Sequence, residues 1–366
     1  MSARTDHSSD DTGALLREHL ASASVAPLFL GGDATEVLAR FPASVIDCVM
    51  TSPPYWGQRE YNARGIGDEP TPEGYVESLL AVMGEVRRVL KPTGSLWLNI
   101  GDVYRDKCLL GLPWRVALAL TDRAGWVLRN EVVWHKVKGG PDNTRDRLRT
   151  VHETVFHLVL RKTGYFYDAD AIRTPPRSAK VVKGAVVSAT GVTGVRYRRQ
   201  IELSTVLDEA EKAAASEALD AALGEVARGE ISDFRMIIRG RQRATHSDAE
   251  TVSGRARELA RRGFYVLRYH PSGAKPGDVW DILPEDTQKR RGHFAPFPED
   301  LCRVPILATC PTGGVVLDPF CGTGTTNAVA ANLGRKSVGI DVCDEYLQAA
   351  RARVTPCPGD RGRISG

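Results

Sequence analysis

Apolar positions along the chain come in two rhythms. Short runs bounded by glycine or proline read as strands: Pro27-Leu28-Phe29-Leu30, Val45 to Met50, Ser95 to Ile100, Trp126 to Trp134, Thr154 to Leu160, Gly314 to Leu317 and Ser337 to Ile340. The runs at 45–50 and 314–317 are rich in β-branched residues, as strands buried on both faces of a parallel sheet are. Between them lie stretches with helical spacing. Glu73 to Leu90 is one, stopped by Pro92-Thr93-Gly94; Trp114 to Asp122 and Thr325 to Leu333 are others. Pro298 opens a further helix reaching about Thr309. Thr205 to Arg228 reads as an alanine-rich amphipathic helix, with Thr205 and Asp208 in capping-box spacing and its acids toward solvent. Strands alternating with helices predict an α/β fold with a mostly parallel sheet and helices on both faces. Residues 1–24 are polar and predict a flexible tail, frayed or weakly helical.

Two of the turns at strand ends carry chemistry. Asp318-Pro319-Phe320-Cys321-Gly322-Thr323-Gly324-Thr325-Thr326 follows the 314–317 strand. A strand, a glycine turn and a helix start bring backbone N–H groups to a helix N-terminus, where a ligand can approach closely. The next strand ends on Asp341, and an acid at that tip can accept both hydroxyls of a ribose. No Gly-Lys-Ser/Thr follows the glycines, so a phosphate-binding P-loop is excluded, and the third glycine of the dinucleotide fingerprint is missing. The glycines alone would equally suit an ordinary βα turn. The second segment, Thr51-Ser52-Pro53-Pro54-Tyr55, sits just past the 45–50 strand, where open α/β sheets place ligands.

Together, and in this order, the two segments resemble the beta-class DNA amino-methyltransferases, in which the catalytic loop precedes the S-adenosylmethionine (SAM) cradle; most methyltransferases carry the cradle first. The resemblance implies a circularly permuted, Rossmann-like SAM-dependent methyltransferase fold with an inserted target-recognition region. It implies SAM as cofactor and double-stranded DNA as substrate, with the target base flipped out of the helix. Asp318, Phe320, Gly322, Gly324, Thr325 and Asp341 are then cofactor residues. Asp33 either reaches the adenine of SAM or caps the helix from Ala34. His293-Phe294-Ala295-Pro296-Phe297-Pro298-Glu299 resembles the segment that closes over SAM, so Phe297 is either a cofactor contact or a core residue. A cognate restriction endonuclease and a homodimer are partners known in this class.

Ser52, Pro53, Pro54 and Tyr55 are the implied catalytic residues, and their types suit the reaction. The lone pair of an exocyclic amine is delocalised into the base. Two acceptors on its hydrogens, Ser52 Oγ and the Pro53 carbonyl, would hold the nitrogen and localise that pair. Two prolines fix φ and remove competing donors. Tyr55 offers a flat face to a flipped base, and base–aromatic stacking contributes about 1–3 kcal/mol. Serine before Pro-Pro is typical of cytosine-N4 enzymes and aspartate of adenine-N6 enzymes, so cytosine-N4 is favoured and adenine-N6 is the alternative. A DNA-binding regulator without catalysis is a further alternative, disfavoured by the intact loop and cradle. In the following loop Trp56, Gln58, Arg59 and Tyr61 are candidates to touch DNA.

Cysteine excludes the main rival chemistry. Methylation at C5 of cytosine needs a thiolate on a Pro-Cys loop, and Pro356-Cys357 stands in a polar tail. No cysteine pair or histidine cluster has metal-ligand spacing, so no metal is expected. Seven scattered cysteines predict a reducing, cytoplasmic setting. Hydrophobic content of 42% and charge of 26% are ordinary for a soluble protein, and no apolar run reaches membrane-span length. The net charge of +4 is mild, but arginines cluster. Residues 172–200 hold Arg173, Arg177, Lys180, Lys183, Arg196, Arg198 and Arg199 with no acid, which suits phosphate tracking; Arg196, Arg198 and Arg199 are the candidate DNA contacts. A second basic stretch runs from Arg235 to Arg268. The expected organisation is a tail at 1–24, a catalytic half at 25–171, the target-recognition region at 172–272, the SAM half at 273–354 and a tail at 355–366.

Overall fold

The short apolar runs assemble into one eight-stranded sheet in a computed structural model that describes residues 11–57, 65–138, 143–175, 179–182, 185–187, 193–240, 254–285 and 298–354. In chain order the first stretch supplies α1 (Asp11–Ala21), β1 (Leu28–Gly31), α2 (Ala34–Leu38), β2 (Ile46–Thr51), α3 (Pro72–Val89), β3 (Leu90–Ile100), the two-residue strands β4 (Tyr104–Arg105) and β5 (Cys108–Leu109), α4 (Leu112–Asp122), β6 (Val127–His135) and β7 (His152–Val159). Next come β8 (Lys180–Val182), β9 (Ala185–Val187), α5 (Gly194–Glu202), α6 (Glu209–Ala227), β10 (Asp233–Ile238), α7 (Gly254–Arg262) and β11 (Phe264–Tyr269). The last stretch is β12 (Val279–Asp281), α8 (Glu299–Thr309), β13 (Val315–Asp318), α9 (Thr325–Asn332), β14 (Lys336–Asp341) and α10 (Asp344–Val354). Two compact units result: Met1–Ala171 with Gly277–Gly366, and Ile172–Pro276.

The sheet order is β1-β14-β13-β2-β3-β7-β6-β12. Every neighbouring pair is parallel except β3–β7 and β7–β6, so β7 alone runs against the rest. Side-chain alternation supplies a core on each face. Val315 and Leu317 of β13 join Val37, Leu79, Met83, Val86 and Val116 of α2, α3 and α4 on one face. Val316 joins Leu301, Ile306 and Val329 of α8 and α9 on the other. Apolar residues spaced three and four apart in α3, Tyr75, Val76, Leu79, Val82, Met83 and Val86, make its buried stripe. All six residues of β2 are buried, Asp47 included. Its carboxylate is compensated by Lys91 Nζ at 2.8 Å and by the Val315 N–H at 2.9 Å.

Three expectations are corrected. Residues 11–21 are helix α1 and are docked, not a flexible tail: Leu16 is fully buried in the core of the sheet's first face, and Lys336 Nζ donates to the Leu20 carbonyl. Helix α3 ends at Val89, and Pro92-Thr93-Gly94 lies inside β3. Gly94 is required there, because a Cβ would stand 2.6 Å from Leu90 Cδ1 and 2.8 Å from the Asp47 carbonyl. The capping box of α6 is formed by Asp208 and Glu211, one turn later than expected. The acids of α6 do not all face solvent either. Glu211 pairs with Arg239 (2.7 Å), Glu225 with Arg268 (2.6 Å) and Asp220 with Arg198.

The second unit has its own core. Tyr197 and Ile201 of α5, Leu219 and Ala222 of α6, Phe234 and Met236 of β10 and Phe264 of β11 pack together over the antiparallel β10–β11 pair.

Replacing Leu16 with alanine should lower the urea unfolding free energy by about 2–5 kcal/mol, the range for a leucine removed from a closed core. A change near zero would mean that α1 does not dock.

Candidate active site

Parallel pairing places the carboxyl ends of β13, β2 and β3 side by side, and the two chemistry-bearing turns meet there. Thr51 Oγ1 donates to Asp318 Oδ1 across 2.6 Å, although the residues are 267 positions apart. Thr326 Oγ1, at the start of α9, donates to the Met50 carbonyl at 3.2 Å. These two bonds tie the Ser-Pro-Pro-Tyr loop to the glycine turn.

The loop rests on a polar network. Asn99, near the end of β3, points Nδ2 at Glu153 Oε2 (2.9 Å), Tyr55 Oη (2.9 Å) and Ser52 Oγ (3.3 Å). Tyr55 Oη donates to Glu153 Oε2 at 2.6 Å, and Ser52 Oγ donates to Tyr55 Oη at 3.3 Å. Lys136 Nζ closes the network on Glu153 Oε1 at 2.6 Å. Burial, reinforced by the Glu153 carboxylate, pushes the Tyr55 phenol well above its ordinary pKa, so it stays protonated. Tyr55 lies directly on the backbone: a Cβ at Gly101 would stand 2.7 Å from Tyr55 Cε2. Tyr75 Oη holds the Pro54 carbonyl at 2.9 Å from α3. Trp56 is not available to DNA, being buried with its indole N–H on the Glu69 carbonyl; Gln58, Arg59 and Tyr61 lie outside the described residues.

Sequence reasoning missed Asn99, Lys136 and Glu153. Glu153 reaches the loop because β7 runs backward, which sets Thr154 opposite Ile100 and brings the amino end of β7 beside the carboxyl end of β3. A glutamate at the mouth of an apolar strand was the available signal, but its partners depend on that strand direction.

The glycine turn is built for close approach. Gly322 and Gly324 have φ of 50° and 73°, and a Cβ at Gly324 would meet Ala350 Cβ at 2.9 Å and the Phe29 ring at 3.2 Å. Helix α9 has no side-chain cap, so its first-turn N–H groups face the turn. Asp341 Oδ2 accepts from Gly322 N at 2.8 Å and Oδ1 from Cys343 N at 2.9 Å, which holds the turn. Phe320 N donates to Asp318 Oδ1 at 3.1 Å, and its ring packs against the core. The Thr325 hydroxyl accepts from Arg353 at 2.9 Å. Asp33 caps α2 through the N–H groups of Thr35 and Glu36, and it also lines a cavity of about 520 Å³ with Thr35, Ile66, Asp68, Glu69 and Ser78. That cavity does not include Ser52, Asp318 or Asp341. Phe297 lies outside the described residues.

Electrostatics favour a cationic ligand. Asp318 is fully buried, and burial pushes its carboxyl up to about 6 against the bonds from Thr51 and Phe320 and the nearby Thr326 hydroxyl; nearby Asp341 adds to the rise. Asp318 Oδ2 is buried with no hydrogen-bond partner among the described residues. Burial raises Asp341 too, opposed by the Cys343 and Gly322 N–H groups. SAM carries a sulfonium and an ammonium, so the donor set fits it. Three buried cysteines are kept from acting as thiolates: burial pushes Cys48 up to about 12 and Cys302 and Cys321 well above the ordinary thiol value.

Comparisons with known proteins give the family. A family model described as DNA methylase matches residues 46–352, from the strand before Ser52 to the helix after Asp341. The chain belongs to the DNA methylase family. It is 32% identical to the Type II methyltransferase M.SfiI of Streptomyces fimbriatus, over 86% of this chain and 88% of that protein. It is 28% identical to the Type II methyltransferase M.SmaI of Serratia marcescens, over 94% and 95%. The solved PvuII DNA methyltransferase (cytosine-N4-specific) superposes with a TM-score of 0.55 at 17% identity, over 92% of this chain and 88% of that one, and shares the fold. This DNA methylase is a SAM-dependent enzyme that acts on DNA. Among the described residues no helix is long and apolar enough to cross a membrane.

Because the folded pKa of Asp318 is raised from 3.8 to about 6, the stability this group contributes is full below about 4 and is lost as pH rises through about 6. In ligand-free protein the stability of the wild type relative to Asp318→Asn should therefore fall between pH 4 and 7, by at most about 3 kcal/mol at 1.36 kcal/mol per pK unit. Urea unfolding of both proteins at several pH values checks this. The opposite slope would show an Asp318 stabilised in its ionised form.

Proposed function

We propose that this DNA methylase transfers a methyl group to the exocyclic N4 amine of cytosine in duplex DNA, within a specific site. The observation that carries the reading is Ser52 Oγ, joined to the cradle through Thr51 and Asp318 and turned by Tyr55 and Asn99. Ser52 Oγ and the Pro53 carbonyl accept the two amine hydrogens, and Tyr55 stacks on the flipped base. SAM supplies the methyl group as an electrophile. Asp318 takes its ammonium, Asp341 its ribose hydroxyls, the turn at Gly322 and Gly324 with the Thr325 backbone lies along it, Phe320 flanks it, and Asp33 reaches its adenine; Phe297 is also proposed as a cofactor residue. Holding cofactor and amine in line supplies much of the acceleration. Extrusion of the base is required because the amine is otherwise stacked in the duplex. The name of the PvuII enzyme, whose fold this chain shares, supports cytosine-N4.

Nucleoside mass analysis of duplex DNA treated with the enzyme and SAM should show N4-methylcytosine. N6-methyladenine alone would move the reading to the adenine enzymes, and 5-methylcytosine would overturn the mechanism.

The unit Ile172–Pro276 is the proposed target-recognition region, and the loop-before-cradle order is proposed to be the permuted one. Restriction-modification is the setting, with a cognate endonuclease and a homodimer as proposed partners. Within the unit, Arg196 and Arg199 are exposed on α5, away from buried Tyr197 and Ile201. Arg198 is also exposed, but it pairs with Asp220. Replacing Arg196 and Arg199 with glutamine should lower the log–log salt slope of DNA binding by about 0.9 for every phosphate that is no longer neutralised. Arg198→Gln should leave the slope near the wild-type value. A slope unchanged in the double variant would place the DNA-binding surface elsewhere, in the stretch from Arg235 to Arg268 or around Arg145.

A further inference from the structure

Serine is an ambiguous acceptor. Its hydroxyl can donate as readily as accept, and a donating Ser52 would repel an amine hydrogen. Something must fix which way its proton points, and the network beneath the loop has a group that can. We propose that Glu153 is a positioning residue: it sets the direction of the hydrogen bonds through Tyr55, so that Ser52 Oγ turns lone pairs rather than a proton toward the substrate's exocyclic amine. This rests on the proposed function and names what orients its acceptor.

The argument is one of donors and acceptors. An ionised carboxylate accepts only. Glu153 Oε1 is held by the Lys136 ammonium at 2.6 Å, and Oε2 faces Tyr55 Oη at 2.6 Å and Asn99 Nδ2 at 2.9 Å. Tyr55 has one proton, and the shortest bond it makes spends that proton on Glu153. Burial and the Glu153 charge both keep the phenol protonated, so the proton is present to be spent. Tyr55 Oη must then accept from its other neighbours, Asn99 Nδ2 at 2.9 Å and Ser52 Oγ at 3.3 Å. The proton of Ser52 is thereby drawn to Tyr55. The Asn99 amide cannot reverse the order, because its Oδ1 in place of Nδ2 would confront the carboxylate. Its two protons have three acceptors in reach, and the two at 2.9 Å are favoured over Ser52 Oγ at 3.3 Å. The lone pairs of Ser52 are left for a ligand. No residue within the loop itself could impose this direction, since serine and tyrosine hydroxyls serve either role. The carboxylate can, and the chain reaches it only because β7 delivers Glu153 beside Ile100.

The test compares wild type with Glu153→Gln and Tyr55→Phe. The phenyl ring of Tyr55→Phe keeps the stacking face and removes only the hydroxyl. The first readout is binding, without turnover. Duplexes carrying the mapped target site are prepared with cytosine, or with uracil, at the target position. Uracil replaces the donating amine by an accepting oxygen, and the mismatch it introduces is the same for every protein tested. Relative to wild type, both variants should shift the cytosine-to-uracil affinity ratio toward uracil by about 10-fold or more, as a misdirected hydrogen bond of ordinary strength implies. If the mapped target is adenine, hypoxanthine replaces uracil and the same shift is expected, so a wrong base assignment does not pass for a failure of this inference. The second readout is single-turnover methylation at saturating SAM and DNA. Each variant should lose about 30-fold or more, yet neither should lower the rate further in a Ser52→Ala background, where there is no hydroxyl to orient. Calorimetric SAM affinity within about twofold of wild type establishes that the cradle is intact. An unchanged affinity ratio, or a loss of rate in the Ser52→Ala background as large as in wild type, would overturn the proposal and leave Glu153 a structural support.

Discussion

The pairing of β2 with β13 is the constraint on which the rest depends. Val316 lies opposite Cys48 and Leu317 opposite Val49. Each strand ends in a turn with its own chemistry, and parallel pairing puts both turns at the same edge. Asp47 guards the register from the other end, since its buried carboxylate is stable only while the Val315 N–H and Lys91 are in place. Thr51 and Asp318 close the active end. A slip of one residue would reverse the face of every side chain on the strand and part the two turns.

The acids beside the glycine turn are held against the cost of burial. Asp318 is kept in a place where burial opposes its charge, and the bonds from Thr51 and Phe320 only partly offset that. On the proposed reading, the ammonium of SAM would offset that penalty on binding, because Oδ2 has no hydrogen-bond partner among the described residues.

Basic residues in the second unit divide by what faces them. Arg198, Arg239 and Arg268 are answered by Asp220, Glu211 and Glu225 of α6. Their charge is engaged within that unit. Arg196 and Arg199 stand on the exposed side of the short helix α5, and they are the arginines there whose charge remains directed to solvent. Counting arginines along the chain could not make this division, because it is made by a helix that follows the basic run in sequence.

The chain's own pattern determined the α/β class, the main strands and both functional turns. Those are local matters: β-branched runs, glycines with positive φ and a Pro-Pro pair are written in adjacent residues. The residues proposed to hold SAM, from Asp318 through Gly324 to Asp341, form a continuous turn and the next strand tip for the same local reason. What the tertiary structure alone decided is long-range. Leu16 became core because α1 found the sheet, and the cap of α6 moved to Asp208 because Glu211 could answer it. Tyr55 acquired Glu153 as a partner because one strand runs against its neighbours. Strand direction is chosen by the whole sheet through crossovers and packing, and no alternation of apolar and polar residues within a single strand encodes it.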